Sequence, residues 1–356
     1  MNVSAADETP LNLARPDIRA LTPYSHAEWN PQLERLHANE LPWRVLGDDS
    51  RAGWNRYPEP QPQALVRRLA QIYGVAPDRL LVGRGSDEGI DLLTRAFCTA
   101  GRDSVLVCPP TFGMYAVAAR IQGAGVVSVP LKTTPDFALD VPAIIAALDN
   151  VKLVHLCTPN NPTGTRLDDA AIQQVVDAAR GRALVVIDEA YAEFSAQPSW
   201  CRAIDREPHV VVLRTLSKAY GLAGVRIGSV IAIPAIIELL RKIIPPYAIA
   251  QPTVEATLAA LTPVQVEIMH TRRDEIVAAR GQLAAALAAK SSVLKVWSSD
   301  ANFLLVRFAD MPTAMRAIMA AGLLVREFRG AAGFGDALRI TIGTADQNAR
   351  LLGSLS

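Results

Sequence analysis

Between about residue 80 and residue 233 the chain alternates short apolar runs with longer segments of helical character. The runs fall at 80–82, 104–107, 126–129, 151–156, 184–187, 210–213 and 228–233. They are apolar at almost every position rather than at every second one, which predicts strands covered on both faces. Alternation with helices predicts a mainly parallel seven-stranded sheet sandwiched by helices, an α/β architecture. After about residue 265 the pattern changes. An alanine-rich stretch at 276–290 predicts a long helix, and apolar runs at 293–296, 303–306, 323–325 and 338–342 predict a smaller α+β unit. A chain of 356 residues is long for one simple core, so two domains are expected. The boundaries fall at 46–265 for the large domain and 266–356 for the small one, with 1–45 as an amino-terminal segment.

Bulk properties narrow the function classes. Half the residues are hydrophobic, a fifth are charged and the formal net charge is +1. That balance suits a globular protein and gives no field to recruit nucleic acid or an acidic membrane surface. Cys98, Cys108, Cys157 and Cys201 are widely spaced, without metal-type pairing, and read as free thiols in a reducing cytoplasm. His26, His37, His155, His209 and His270 have no ligand spacing, so no metal is expected; His155, inside an apolar run, reads as a satisfied core residue. The first residues are polar and slightly acidic, unlike a signal peptide. The most apolar later stretch, 227–244, is broken by Pro234, Glu238, Arg241 and Lys242, which argues against a membrane span.

Candidate chemistry gathers where apolar runs end. Arg214-Thr-Leu-Ser-Lys-Ala-Tyr-Gly-Leu-Ala-Gly-Val-Arg226 places Lys218 just after a strand, with hydroxyls before it and a guanidinium beyond. An amine there can form a Schiff base with an aldehyde cofactor, while Thr215, Ser217 and Arg226 can hold its phosphate. A solvated Ser-Lys pair on a surface loop is the plain alternative. The run ending at Asp188 puts a carboxylate at the carboxyl end of a buried strand, where open α/β sheets bind ligands. Such a group can pair with a protonated pyridine nitrogen, or simply cap the next helix. Tyr191 follows three residues later. The rigid loop Thr158-Pro-Asn-Asn-Pro-Thr-Gly164 can aim the Asn161 amide at a phenolate-type oxygen. Gly83-Arg-Gly-Ser-Asp-Glu-Gly89 lies between a strand and a helix, but its third glycine is one residue too far for dinucleotide binding. A helix start binding one phosphate at Ser86 and Asp87, or a capped turn, fits it better.

Taken in order, Asn161-Pro-Thr-Gly, Asp188-x-x-Tyr191, Ser217-Lys218, Arg226 and Arg339 resemble the signature of the fold-type I pyridoxal-phosphate aminotransferases. Within them, the chain is similar to the histidinol-phosphate aminotransferases through Asn39-Glu40, Tyr57-Pro-Glu-Pro-Gln, Gly83 to Gly89, Thr215-Leu-Ser-Lys-Ala and Leu338-Arg-Ile-Thr-Ile-Gly343. The likeness spans nearly the whole chain. It departs at His37, where that group often has asparagine, and across 29–32.

The resemblance implies a ping-pong transamination in which Lys218 carries pyridoxal 5'-phosphate and moves the proton, and Asp188 keeps the ring nitrogen protonated. Asn161 and Tyr191 bond the ring oxygen, and Tyr115 covers the ring face. Arg339 anchors the anionic end of each substrate in turn, histidinol phosphate and glutamate or 2-oxoglutarate, with Arg326, Tyr24, Asn39 and Tyr247 completing the pocket. Tyr57 reaches the cofactor phosphate of a neighbouring subunit, implying a homodimer. The amino-terminal segment is expected to join the small domain. Alternatives are an aminotransferase for aromatic or acidic amino acids and a decarboxylase of a phosphorylated amino acid. A cofactor-binding sensor fused to a DNA-binding segment is disfavoured, because the first twenty residues are too few and insufficiently basic for a helix-turn-helix. Glu40 and Asp87 as a hydrolytic carboxylate pair have nothing to bring them together.

Overall fold

The computed structural model describes residues 10–25, 30, 32–134, 136–331 and 333–355. The first nine residues, His26, Trp29 and Pro31 of the sequence reading lie outside the described residues. Seven strands form the large sheet: β1 Leu80–Gly83, β2 Ser104–Val107, β3 Gly125–Ser128, β4 Val151–Cys157, β5 Leu184–Asp188, β6 Val210–Thr215 and β7 Gly228–Ile231. Their order is β1-β7-β6-β5-β4-β2-β3. The neighbours from β3 to β6 pair in parallel, whereas β7 runs antiparallel to both β6 and β1. The exception has a local cause. β6 and β7 are joined by residues 216–227, which carry only a single 3-10 turn at Ala223–Val225 and no crossover helix, so β7 returns beside β6. That link contains Lys218.

Both faces of the sheet are buried, which is why the strands read as unbroken apolar runs. Val185, Ile187, Val210 and Val212 point into one helical layer, and Leu184, Val186, Val211 and Leu213 into the other. A second sheet, order β10-β11-β9-β8, is antiparallel throughout and comprises β8 Val293–Val296, β9 Phe303–Phe308, β10 Arg326–Ala331 and β11 Gly335–Thr341. The helix Pro263–Ala288 ties the two units together. Its Leu283 and Leu287 enter the small core, while Ile276 and Val277 pack by Tyr191 and Phe194.

Two expectations need correction. The strand placed at 323–325 starts at Arg326, because ladder pairing begins with Arg326 opposite Arg339. Leu323 and Val325 pack against the small core as extended chain. The amino-terminal segment, as far as it is described at 10–20, joins the large unit rather than the small one. Leu13 and Ala14 are buried with Phe97, Ile236 and Leu240, and the Arg15 amide donates to the Ala96 carbonyl at 2.9 Å. Leu11, Leu13, Ala14 and Ile18 form an apolar stripe that the helices Ser86–Phe97 and Pro234–Arg241 cover. No helix among the described residues is long and apolar enough to cross a membrane.

Candidate active site

The carboxyl ends of β1, β2, β4, β5 and β6 open on one cavity of about 540 Å³. Parallel strands end in register there, so residues distant in sequence become neighbours. Gly85, Ser86, Asp87, Thr111, Phe112, Cys157, Asn161, Asp188, Tyr191, Thr215, Ser217, Lys218, Arg226, Arg326, Phe328 and Arg339 all contribute to its wall.

Asp188 forms the floor and is only 3% exposed. One carboxylate oxygen accepts from the Tyr115 hydroxyl at 2.7 Å, the other from the Ala190 amide at 3.1 Å. Burial outweighs both bonds and pushes the carboxyl up to about 6. The segment following Asp188 is fixed by Arg214 of β6, which reaches Glu189 at 2.9 Å and Glu193 at 2.6 Å in a buried ion cluster. Removing one partner of such a buried cluster leaves an uncompensated charge, so its members are held together. Here the arrangement sets Tyr191 over the cavity.

At one end of the cavity an anion cradle is assembled. The helix Ser86–Phe97 begins there with its free amides and positive dipole end. Thr215 Oγ1 donates to Ser217 Oγ at 3.0 Å, and Arg226 lies 3.5 Å from both Ser217 Oγ and Asp87 Oδ2. Two glycines allow this closeness. A Cβ on Gly85, whose φ is +82°, would stand 2.8 Å from the Arg226 guanidinium, and a Cβ on Gly228 would collide with the Gly85–Ser86 backbone. Arg226 itself holds a left-handed φ of +60°, an unfavourable conformation for a side-chain-bearing residue.

Lys218 opens into the cavity, its Nζ 5.6 Å from the centre of the Tyr191 ring. Partial burial, then Arg339 and Arg226, pull its amine below the usual lysine value, against the opposing pull of Asp87 and Asp188. The Asn161 amide donates to the Tyr191 hydroxyl at 3.3 Å. Its carbonyl oxygen accepts from Arg339, across the junction of the two units. Arg339 also lies 5.3 Å over Phe303 and 5.9 Å over Phe328. Its cross-strand partner is Arg326. Two guanidiniums facing each other repel unless an anion lies between them.

Sequence reasoning placed Tyr115 over a ring face, and here it needs correction. Tyr115 is fully buried behind Asp188 and does not line the cavity. The helix begins at Met114, which turns Tyr115 inward and leaves Phe112 on the wall. Phe112, Thr111 and Phe328 are among the wall residues missed from sequence. The only available signal for Phe112 was an aromatic two residues after Pro109-Pro110. His155 is buried but not satisfied: neither ring nitrogen has a partner among the described residues. Burial drives its imidazole down to about 3, so it is neutral.

Four other candidates lie elsewhere. Asn39, Tyr57 and Tyr247 line a separate hollow with Glu40, the two tyrosine rings stacked at 4.6 Å. Tyr24 lines a third with Glu59 and Arg241. Glu40 accepts from the Tyr57 amide at 2.7 Å and from Arg56 at 2.9 Å, so it shapes this segment and stays apart from Asp87.

The model of the family "Aminotransferase class I and II" matches residues 32–355. This chain belongs to that family. Among its relatives, the histidinol-phosphate aminotransferase of Xylella fastidiosa is 48% identical over 358 residues, covering 98% of this chain and 96% of that protein. The crystal structure of the histidinol-phosphate aminotransferase from Clostridium acetobutylicum has a TM-score of 0.76 at 22% identity, over 84% of this chain and 89% of that one. The Sinorhizobium meliloti enzyme of the same name, solved in complex with pyridoxal-5'-phosphate, has a TM-score of 0.73 at 25% identity, over 84% of this chain and 81% of that one. The fold is therefore the one these aminotransferases share.

A carboxyl buried as deeply as that of Asp188 costs the folded protein stability once it ionises. Its folded carboxyl sits above the unfolded value of 3.8, so its contribution to stability is lost as pH rises from about 4 through about 6. Asp188→Asn is expected to stabilise the ligand-free protein at pH 8 by up to about 3 kcal/mol. The gain should fade towards pH 4, where the wild-type acid is already neutral. Thermal unfolding across pH checks this; a lower Tm for the variant at pH 8 contradicts it.

Proposed function

We propose that this chain is a pyridoxal-phosphate-dependent transaminase. It would move the amino group of L-histidinol phosphate to 2-oxoglutarate, giving imidazole-acetol phosphate and L-glutamate, as a step of L-histidine biosynthesis in the cytoplasm. One observation carries the reading: an amine, a buried acid and an anion cradle line the same cavity, in Lys218, Asp188 and the Ser86–Thr215–Ser217–Arg226 group. The choice of substrate is supported by the relative of that name at 48% identity across nearly the full chain.

The cavity fits the cofactor on its own terms. The cradle is built without side chains at Gly85 and Gly228, and hydroxyls, a guanidinium and a helix start converge on it, as a phosphate dianion requires. Asp188 is a buried acid awaiting a cation. When bound, pyridoxal phosphate supplies an aldehyde for an amine and a ring that draws electrons from the substrate carbon.

The chain's residues do the rest. The backbone amides of Ser86 and Asp87, with Thr215, Ser217 and Arg226, would hold and orient the phosphate end. Asp188 keeps a proton on the ring nitrogen. Asn161 and Tyr191 donate to the ring's phenolic oxygen. Lys218, with a depressed amine value, would take the substrate's α-carbon proton at Nζ and hold it for return. Phe112, on the cavity wall, would supply apolar surface for the ring. Arg339, backed by Asn161, binds a glutamate carboxylate or the phosphate of the amino alcohol as a planar fork, with Arg326 adding charge.

A second copy of the chain completes the site in this reading. The segment from Leu33 to Tyr57 carries apolar side chains in the open, with Leu36 95% and Trp43 76% exposed. An apolar surface of that extent marks an interface. Tyr57 lies outside its own chain's cavity. It therefore serves a phosphate only in the partner subunit of a homodimer.

Two experiments test the proposal. With the loaded enzyme, histidinol phosphate should bleach the yellow absorbance band and 2-oxoglutarate should restore it. If histidinol phosphate at millimolar concentration leaves the band intact while an aromatic amino acid bleaches it, the substrate assignment fails. Arg339→Lys should lower kcat/KM for both substrates by about thirtyfold to a hundredfold, since an ammonium cannot reproduce two parallel charge-assisted bonds. Unchanged kinetics move the anion anchor elsewhere.

A further inference from the structure

Behind the cavity lies a group that the reaction as described leaves idle. Tyr115 is completely buried, and its hydroxyl donates to Asp188 Oδ2 at 2.7 Å. Its ring lies flat against the ring of His155, centroids 4.6 Å apart and planes within 6°, and meets Phe112 edge-on at 5.6 Å. His155 extends no further: both nitrogens lack partners among the described residues, and its plane is parallel to that of Tyr115. His155 thus adds no polar contact of its own, while the tyrosine hydroxyl also meets the Cys157 thiol beside Asp188. His155 and Phe112 grip the ring, and the hydroxyl is aimed at one carboxylate oxygen.

Resting on the cofactor reading above, we propose that Tyr115 is a positioning residue that decides where the proton shared by Asp188 and the cofactor's ring nitrogen resides. A hydrogen bond donated to a carboxylate stabilises its ionised form. Burial at this site works in the opposite sense and makes Asp188 a stronger base. Without the hydroxyl, Asp188 has a greater claim on the shared proton, and the pyridine ring moves towards its neutral, less electron-withdrawing form. Nothing about Lys218, the phosphate cradle or the arginine pair need change. The expected signature is a loss in the proton-transfer step with substrate binding intact.

Tyr115→Phe removes the oxygen and keeps the ring. The holoenzyme should be prepared with pyridoxal phosphate labelled with nitrogen-15 in the ring, and the nitrogen shift read by NMR in wild type and variant. The wild type should show a protonated ring nitrogen, and the variant a shift towards the neutral pyridine value. kcat should fall about tenfold to a hundredfold, the worth of one hydrogen bond to a charged group, with KM for both substrates within about twofold. His155→Phe keeps the aromatic plate and should leave the nitrogen shift as in the wild type. If the wild-type ring nitrogen is protonated and Tyr115→Phe leaves it unchanged, this inference is wrong while the cofactor reading stands. If wild type takes up no cofactor, the cofactor reading itself falls. Should the phenylalanine variant not fold, fluorotyrosine incorporated at position 115 gives the same readout. Its more acidic hydroxyl should keep the nitrogen at least as protonated as in wild type, and a shift towards neutral overturns the proposal.

Discussion

A carboxylate buried at the carboxyl end of β5 is the constraint on which the site is organised. Asp188 is almost inaccessible, and its two hydrogen bonds do not offset the loss of water. The protein tolerates that cost because the acid is fixed by a parallel ladder on either side, Cys157 of β4 opposite it on one flank and Leu213 of β6 on the other. Arg214, on the same β6, clamps the chain just beyond it through Glu189 and Glu193. The same strand thus supports the acid, holds the turn that presents Tyr191, and leads directly into Lys218.

The reversal of β7 is the second part of the design. Because β7 returns beside β6, the loop 216–227 stays tight over the sheet edge and brings Ser217, Lys218 and Arg226 against the start of the helix Ser86–Phe97. That approach is close enough to exclude a side chain at Gly228 and to hold Arg226 in a left-handed conformation. The anion cradle is therefore a product of sheet topology. The small unit adds the remaining wall through β10 and β11, and the bond from Arg339 to Asn161 joins it to the large one.

Much of this was legible in the sequence because buried parallel strands leave unbroken apolar runs. All seven strands of the large sheet lie where those runs fall, and Asp188, Asn161 and Lys218 follow directly from strand ends. Other features depend on information that periodicity does not carry. Whether Phe112 or Tyr115 faces the cavity turns on a helix start shifted by a residue or two. The strand at Arg326 is set by its partner's register, not by its own apolar residues. The amino-terminal segment's docking depends on which apolar patch remains uncovered, a property of the assembled large unit. Tyr57 lies away from the cavity, as its assignment to a neighbouring subunit allows, whereas Asn39, Tyr24 and Tyr247 were read as completing the pocket and lie elsewhere, which no pattern within one chain reveals.

The covalent chemistry at Lys218 admits the most direct test. Purified protein incubated with pyridoxal phosphate, reduced with borohydride and digested should yield one modified peptide, with the reduced pyridoxyl phosphate on Lys218. A Lys218 found unmodified, or label spread over surface lysines, would contradict the claim that this cavity is built around that amine.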